Sequence, residues 1–253
     1  MNTLIGITER GDASLDYSWM PALTNKRVQG VILITKDVNE KFREIVCSLH
    51  TAGYPIIVHA TCTGWGGYDM EPNVPAYRAQ VNNLYKLIAQ GFPFKNVVLR
   101  VDPIIATTEG IIVARRVLNY ARELGLLPGF RVRISLVDEY QHVLQRVHNR
   151  GLSLGDHSRT LSEKLKLLGE LTGTNPDVIF ETCAEPWMKG ANVVHQGCVS
   201  STDLELMGIQ VPQDALINPQ GRNGCLCLNC KTELLSNRHP CTHNCAYCYW
   251  KDK

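Results

Sequence analysis

Short runs rich in β-branched residues alternate with segments of helical periodicity along most of this chain, and that alternation limits the fold more than any other feature. Successive βα units have right-handed crossovers. Their strands therefore line up in parallel and form either an open doubly wound sheet or a full or partial (β/α) barrel. Strands are expected at 3–8, 30–35, 55–63, 96–102, 131–137, 177–182 and 192–196. Tyr77, Val81, Leu84 and Ile88 recur at helical spacing behind Pro75, which suits a first helical turn, and Gly91 follows as a stop. Val113, Val117, Tyr120 and Leu124 make a second stripe ending at Gly125. A third, Leu161, Leu165, Leu168 and Leu171, follows a Thr160/Glu163 capping box. These stripes read as core faces. Seven strands with an irregular tail favour the α/β class with a full or partial TIM-like barrel.

A length of 253 residues suits a single domain. Lys plus Arg number 26 against 24 Asp plus Glu, so the net charge of +2 provides no broad field to pull the protein onto nucleic acid or anionic lipid. The first ten residues lack the basic start and long apolar centre of a secretory signal, and no apolar run approaches the roughly 20 residues of a membrane helix. The expectation is a cytoplasmic protein with no membrane partner. In that compartment ten cysteines call for metal or redox chemistry before structural disulfides. Cys47 and Cys62 read as small buried residues of a helix and a strand. The other eight crowd the last third, which divides the chain into βα units over 1–202 and a cysteine-rich, cluster-binding lobe over 203–253.

Within that lobe stands Cys241-Thr242-His243-Asn244-Cys245-Ala246-Tyr247-Cys248, a Cys-x3-Cys-x2-Cys run with an aromatic before its third cysteine. A 4Fe-4S cubane offers four iron corners, and three thiolates leave one iron open to bind something else. Zinc is the alternative, with His239 and His243 nearby, but zinc ribbons pair two Cys-x2-Cys knuckles and this run does not.

The spacing and its aromatic resemble the cluster motif of radical S-adenosylmethionine (SAM) enzymes. The chain as a whole resembles a largely uncharacterised group of bacterial and phage proteins whose radical-SAM-like cysteines sit at the C-terminus. The likeness runs through residues 8–12, Ile34-Thr35-Lys36, 63–67, 71–75, 100–104, 181–185, Gly197-Cys198, Cys225-Leu226-Cys227 and the terminal Cys-Tyr. A more distant similarity is to spore photoproduct lyase. The resemblance implies that Cys241, Cys245 and Cys248 hold a SAM-binding 4Fe-4S cluster, that Tyr247 lies beside the adenine and that Gly64, Gly66 and Gly67 receive the methionine end of SAM. It further implies an electron donor such as flavodoxin or ferredoxin. The substrate would be a modified thymidine base in DNA, rearranged by an isomerase-type reaction, or a small metabolite. A motif arriving from the C-terminus can serve because a closed rim is reachable from either end of the chain. The different-class alternative is a non-enzymatic zinc or iron-sulfur protein whose tail staples the barrel.

Cys183, Cys198, Cys225 and Cys227 supply thiols for an auxiliary iron-sulfur cluster, with Cys230 as a spare; zinc or reduced buried thiols are the alternatives. Chemistry in either architecture belongs at the strand ends. Arg100 and Asp102 share one face of their strand, as do Arg133 and Ser135, by the period-two alternation. Arg100, Asp102 and Glu185 are the catalytic candidates, and Ser135 joins the cofactor-binding ones. His195 reads as a core histidine or a proton donor.

Overall fold

The computed structural model describes residues 4–155, 160–217, 224–235 and 241–251. The first residue of the first expected strand, Thr3, lies outside them, as does His239. Eight strands form a single sheet: β1 (Ile5–Ile7), β2 (Gly30–Thr35), β3 (Ile56–Thr61), β4 (Val97–Ile104), β5 (Arg131–Leu136), β6 (Phe180–Thr182), β7 (Val193–His195) and β8 (Lys231–Glu233). Every pairing is parallel and the order is β7-β6-β5-β4-β3-β2-β1-β8. Seven consecutive strands in chain order, with no reversal, are compatible with a partial TIM-like barrel; a doubly wound sheet reverses direction at a switch point.

Among the described residues there are seven α-helices: α1 (Trp19–Asn25), α2 (Glu40–Thr51), α3 (Tyr77–Ala89), α4 (Thr108–Glu123), α5 (Gln141–Asn149), α6 (Leu161–Gly173) and α7 (Ser201–Leu206). The capping box of α6 forms as expected, with Glu163 N donating to Thr160 Oγ1 at 3.3 Å and Thr160 N to Glu163 Oε2 at 2.7 Å. One face of the sheet, through Val31, Leu33, Val58, Leu99 and Val132, packs on the helices in the main core. The alternate residues Ile5, Ile7, Ile32, Ile57 and Val98 face inward and are covered by Leu204, Met207, Val199 and Leu228. Burial on both faces explains why β2 to β4 read as near-continuous apolar runs. Strand β4 outlasts its expected end at Asp102 because Pro103 sits at a register shift between Val101 and Ile104, where a missing N–H is tolerated.

The tail departs from expectation. The described part of 203–253 does not stand apart as a lobe. Residues 231–233 form β8 on the open edge of β1, in register Ile5 with Lys231 and Ile7 with Glu233, and α7 lines the inner face. An unpaired edge of β1 would leave a row of backbone donors and acceptors to satisfy, and three tail residues meet that need. So short a strand carries too little periodicity to be read from sequence.

Candidate functional site

The Cys241–Cys248 segment lies across the strand-end rim, fastened by residues from several βα loops. Asp12, just past β1, is the main anchor. Its carboxylate accepts from Ser14 N at 2.9 Å, Thr35 Oγ1 at 2.7 Å and Lys36 N at 2.7 Å, and its Oδ2 lies 2.9 Å from His243 Nε2. Burial alone would raise the Asp12 pKa; the bond and charge of His243 and the donors from Lys36 and Thr35 bring it below the usual carboxylate range. Asn73 Nδ2 donates to Thr242 O at 2.7 Å, and Ala246 N donates to Met70 O at 2.9 Å. From α5, Arg146 donates to the carbonyls of Ala246 and Cys248 at 2.9 and 2.8 Å; Arg150, which caps the helix, donates to Asn244 O at 2.9 Å. Asn244 takes the left-handed conformation (φ 55°), which turns the chain between Cys241 and Cys245.

Tyr247 is buried, and its hydroxyl donates to Glu71 Oε1 and accepts from Lys36 Nζ at 3.1 Å. Glu71, wholly buried, also pairs with Lys36 Nζ at 2.5 Å and accepts from Thr63 Oγ1 at 2.8 Å. Lys36, Glu71 and Tyr247 thus form a buried polar knot beside Cys245. Desolvation would lower the Lys36 pKa, but the Glu71 charge raises it well above its ordinary value, so the ammonium is retained. Burial pushes the Cys241 thiol up to about 11 and the Cys245 thiol up to about 12, so a metal bound there must displace their protons.

The glycine-rich loop is explained largely by its own packing. A Cβ on Gly64 would come 2.4 Å from Val113 Cγ1 of α4, and one on Gly66 would come 2.0 Å from Pro75 O. Gly67 has φ +81° with nothing within 4 Å of the added carbon, so it alone of the three borders open space.

On the inner face, Arg100 and Asp102 form the ion pair their spacing suggests, with Arg100 Nε donating to Asp102 Oδ2 at 3.0 Å. Ser135 Oγ donates to Asp102 Oδ1. Burial raises the Asp102 carboxyl less than Arg100 and Ser135 lower it. Glu185 sits elsewhere: its Oε1 accepts from Leu136 N at 3.1 Å, tying the loop after β6 to the end of β5. His195 is exposed on the edge strand β7, so the core-histidine reading is corrected: no further strand covers that edge among the described residues. Sequence reasoning passed over His59, which is fully buried in β3. Its ring nitrogens have no partner among the described residues, and burial together with Arg133 and Arg100 drives its pKa well below the ordinary value.

Cys183, Cys198 and Cys227 converge so that their sulfurs all lie within 4.8 Å of one another, the one such group of three or more His, Cys, Asp or Glu ligand atoms among the described residues. Cys225 and Cys230 are not in the group, and neither are Cys241, Cys245 and Cys248. Two glycines permit the convergence. A Cβ on Gly197 would strike Leu226 O at 2.4 Å, and one on Gly224 would lie 2.9 Å from Pro186 Cδ, so the loops after β6, after β7 and before β8 approach as bare backbone. The amide of Cys198 donates to Cys227 Sγ at 3.2 Å. Thiol donors on Cys183 and Cys198, and the Lys231 charge, lower the Cys227 pKa against the upward push of burial. A thiolate is the form that binds metal.

A family model matches residues 17–250 of the chain, from just before α1 through to the residues beyond Cys248. The chain belongs to the family described as Domain of unknown function (DUF1848). No curated protein matches it, so the more distant likeness to spore photoproduct lyase finds no counterpart. What this DUF1848 chain establishes at the level of chemistry is an α/β parallel sheet carrying a cysteine triad able to hold a metal. No helix among the described residues is long and apolar enough to cross a membrane. Lys36, Glu71, Asp12 and His243 were reachable in principle, since each lies at a strand end or inside a quoted motif; their pairing across the length of the chain was not.

Proposed function

We propose that this protein is a radical SAM enzyme in which Cys241, Cys245 and Cys248 hold a 4Fe-4S cluster at the strand-end rim. The observation that carries the reading is the fastening of this cysteine segment to Asp12, Met70, Asn73, Arg146 and Arg150, which sets three thiols of the right chain spacing over the end of the sheet where α/β sites are found. When bound, the cluster would supply an electron for reductive cleavage of SAM to methionine and a 5′-deoxyadenosyl radical that abstracts a substrate hydrogen.

The chain's own contribution is positional. Glu71 and Lys36 hold the Tyr247 ring, Gly67 leaves open space beside the loop at 64–67, and Arg100, Asp102 and Ser135 present a fixed polar strip on the inner face for substrate. A flavodoxin or ferredoxin would reduce the cluster. A modified thymidine base is the substrate reading and a small metabolite its rival. The near-balanced charge suits a small footprint, with any duplex base flipped out of its stack.

Anaerobic purification with iron and sulfide analysis, then addition of dithionite and SAM, tests the reading. Brown protein that yields 5′-deoxyadenosine is expected. Colourless protein holding zinc alone, or iron-loaded protein that leaves SAM intact, refutes it.

A further inference from the structure

Arg133 is buried to 1 % exposure on the inner face of β5, with one terminal nitrogen donating to Glu181 Oε2 at 2.7 Å and to Gly197 O at 3.0 Å. Its Nε and Nη1 have no partner among the described residues. A buried cation with spare donors is costly unless negative charge stands against it. Glu181 is shared with Arg131, which takes Oε1 at 2.5 Å and also pairs with Asp203 at 2.8 Å. Period two puts Cys183 on the face of its segment that carries Glu181, and the carbonyl that Arg133 holds belongs to the residue before Cys198. Glu181 and Asp203 together balance Arg131 and Arg133, and three thiolates on a divalent ion would add one net negative charge near the spare donors of Arg133.

The local geometry speaks to how many metal ions the site takes. Sulfurs all within 4.8 Å suit one ion: tetrahedral zinc with Zn–S bonds of about 2.3 Å spaces its sulfurs roughly 3.8 Å apart, while a cubane spreads them over separate irons. The backbone N–H of Cys198 on Cys227 Sγ is the kind of support that orients metal-bound thiolates. Ala184, directly after Cys183, is held in the left-handed region at φ 61°, a strained conformation for a residue with a Cβ, and it fixes the turn that presents Cys183.

We infer that Cys183, Cys198 and Cys227 bind a single thiophilic divalent ion, zinc by its preference for thiolate, with Arg133 as a buried cation tied to the backbone of Gly197 next to Cys198 and the fourth tetrahedral position left to an exogenous ligand. Cys225, two residues from Cys227 but outside the group, is a loop residue of this site and no ligand. The ion joins the segment after β7 to the segment before β8, the two edges of the sheet that do not pair. Three protein ligands with one open position is the pattern of zinc sites that bind or activate a ligand, unlike the closed four-thiolate pattern of structural ones.

The inference stands apart from the radical reading, and its test is built to keep the two separate. Full-length protein with Cys241, Cys245 and Cys248 all changed to Ala is stripped of metal under reducing conditions and titrated with Co²⁺, then with Zn²⁺. About one equivalent of cobalt should develop the intense sulfur charge-transfer and visible bands of tetrahedral thiolate coordination, and one equivalent of zinc should erase them. X-ray absorption of the zinc form should show sulfur neighbours at about 2.3 Å with no second metal behind them. Cys183→Ser, Cys198→Ser and Cys227→Ser should each lose the cobalt bands, while Cys225→Ser keeps both bands and stoichiometry. Arg133→Gln should keep the stoichiometry, weaken zinc about tenfold and shift the charge-transfer band as the nearby positive charge is lost.

Folded protein, checked by circular dichroism, that takes up no stoichiometric cobalt overturns the site. Uptake of several irons with acid-labile sulfide replaces the single ion by a cluster. Loss of the bands in Cys225→Ser converts the site to a closed four-thiolate one, and a folded Arg133→Gln variant with unchanged affinity and band position removes Arg133 from it. None of these outcomes depends on whether SAM is cleaved.

Discussion

Cys241, Cys245 and Cys248 occupy one short stretch of chain, whereas Cys183, Cys198 and Cys227 arrive from three separate segments. The first set is held from outside, by a histidine on Asp12 and by arginines of α5 on its carbonyls, and its three sulfurs do not all gather within 4.8 Å. The second is held from within, by bare glycine backbone and by an amide on sulfur, and its sulfurs meet. Burial raises the thiols of Cys241 and Cys245, while neighbouring thiols lower Cys227. A contiguous motif declares its ligands by spacing yet needs its cargo to draw them together. A dispersed set is silent in sequence but can be assembled by the fold beforehand.

The sharpest way to break that comparison is to remove one set and look for the other. Changing Cys241, Cys245 and Cys248 together to Ala should abolish 5′-deoxyadenosine formation and remove one cluster's iron, while the Cys183 group keeps its metal. Loss of all metal in that variant, measured by elemental analysis, would mean the two sets are one site.

The next largest effect concerns the buried knot under the motif. Lys36→Met leaves Glu71 as an uncompensated buried carboxylate and should cost about 3 to 5 kcal/mol of stability in urea unfolding. A Lys36→Met/Glu71→Gln double variant should recover part of that loss, and no recovery would show that the pair is not coupled.

Gly66→Ala should cost about 1 to 3 kcal/mol through collision with Pro75 O, with SAM cleavage per folded molecule retained. Equal stability to the parent would return Gly66 to the ligand-approach reading expected from its sequence. Asp12→Ala should loosen the motif along with the Ser14, Thr35 and Lys36 contacts it also holds: forfeiting about 1.5 kcal/mol of docking raises the open population roughly tenfold, read as faster alkylation of Cys245 in metal-free protein. Smallest is Gly67→Ala, where open space leaves only the cost of a positive φ, about 1 kcal/mol, seen in thermal unfolding.

The first seven strands, the α6 capping box and the Arg100–Asp102 pair were legible because each rests on local rules: period-two alternation, side-chain capping and the sharing of one strand face. Gly64 and Gly66 were legible as special positions, but the packing that also requires them, against Val113 or Pro75, is a tertiary matter. The strand β8 was hidden because three residues carry no period, and its formation was decided by the free edge of β1.

By itself the sequence determined the parallel α/β class and the cysteine spacing at the tail, because hydrophobic period and ligand spacing are written within a few residues of one another. Only the tertiary structure decided that Asp12 would hold His243, that Glu71 and Lys36 would hold Tyr247, and that three of the remaining cysteines would meet while Cys225 would not. Those pairings join distant parts of the chain. They follow from which loops the sheet brings to one rim and how closely glycine lets them approach, and neither is fixed until the strands have taken their order.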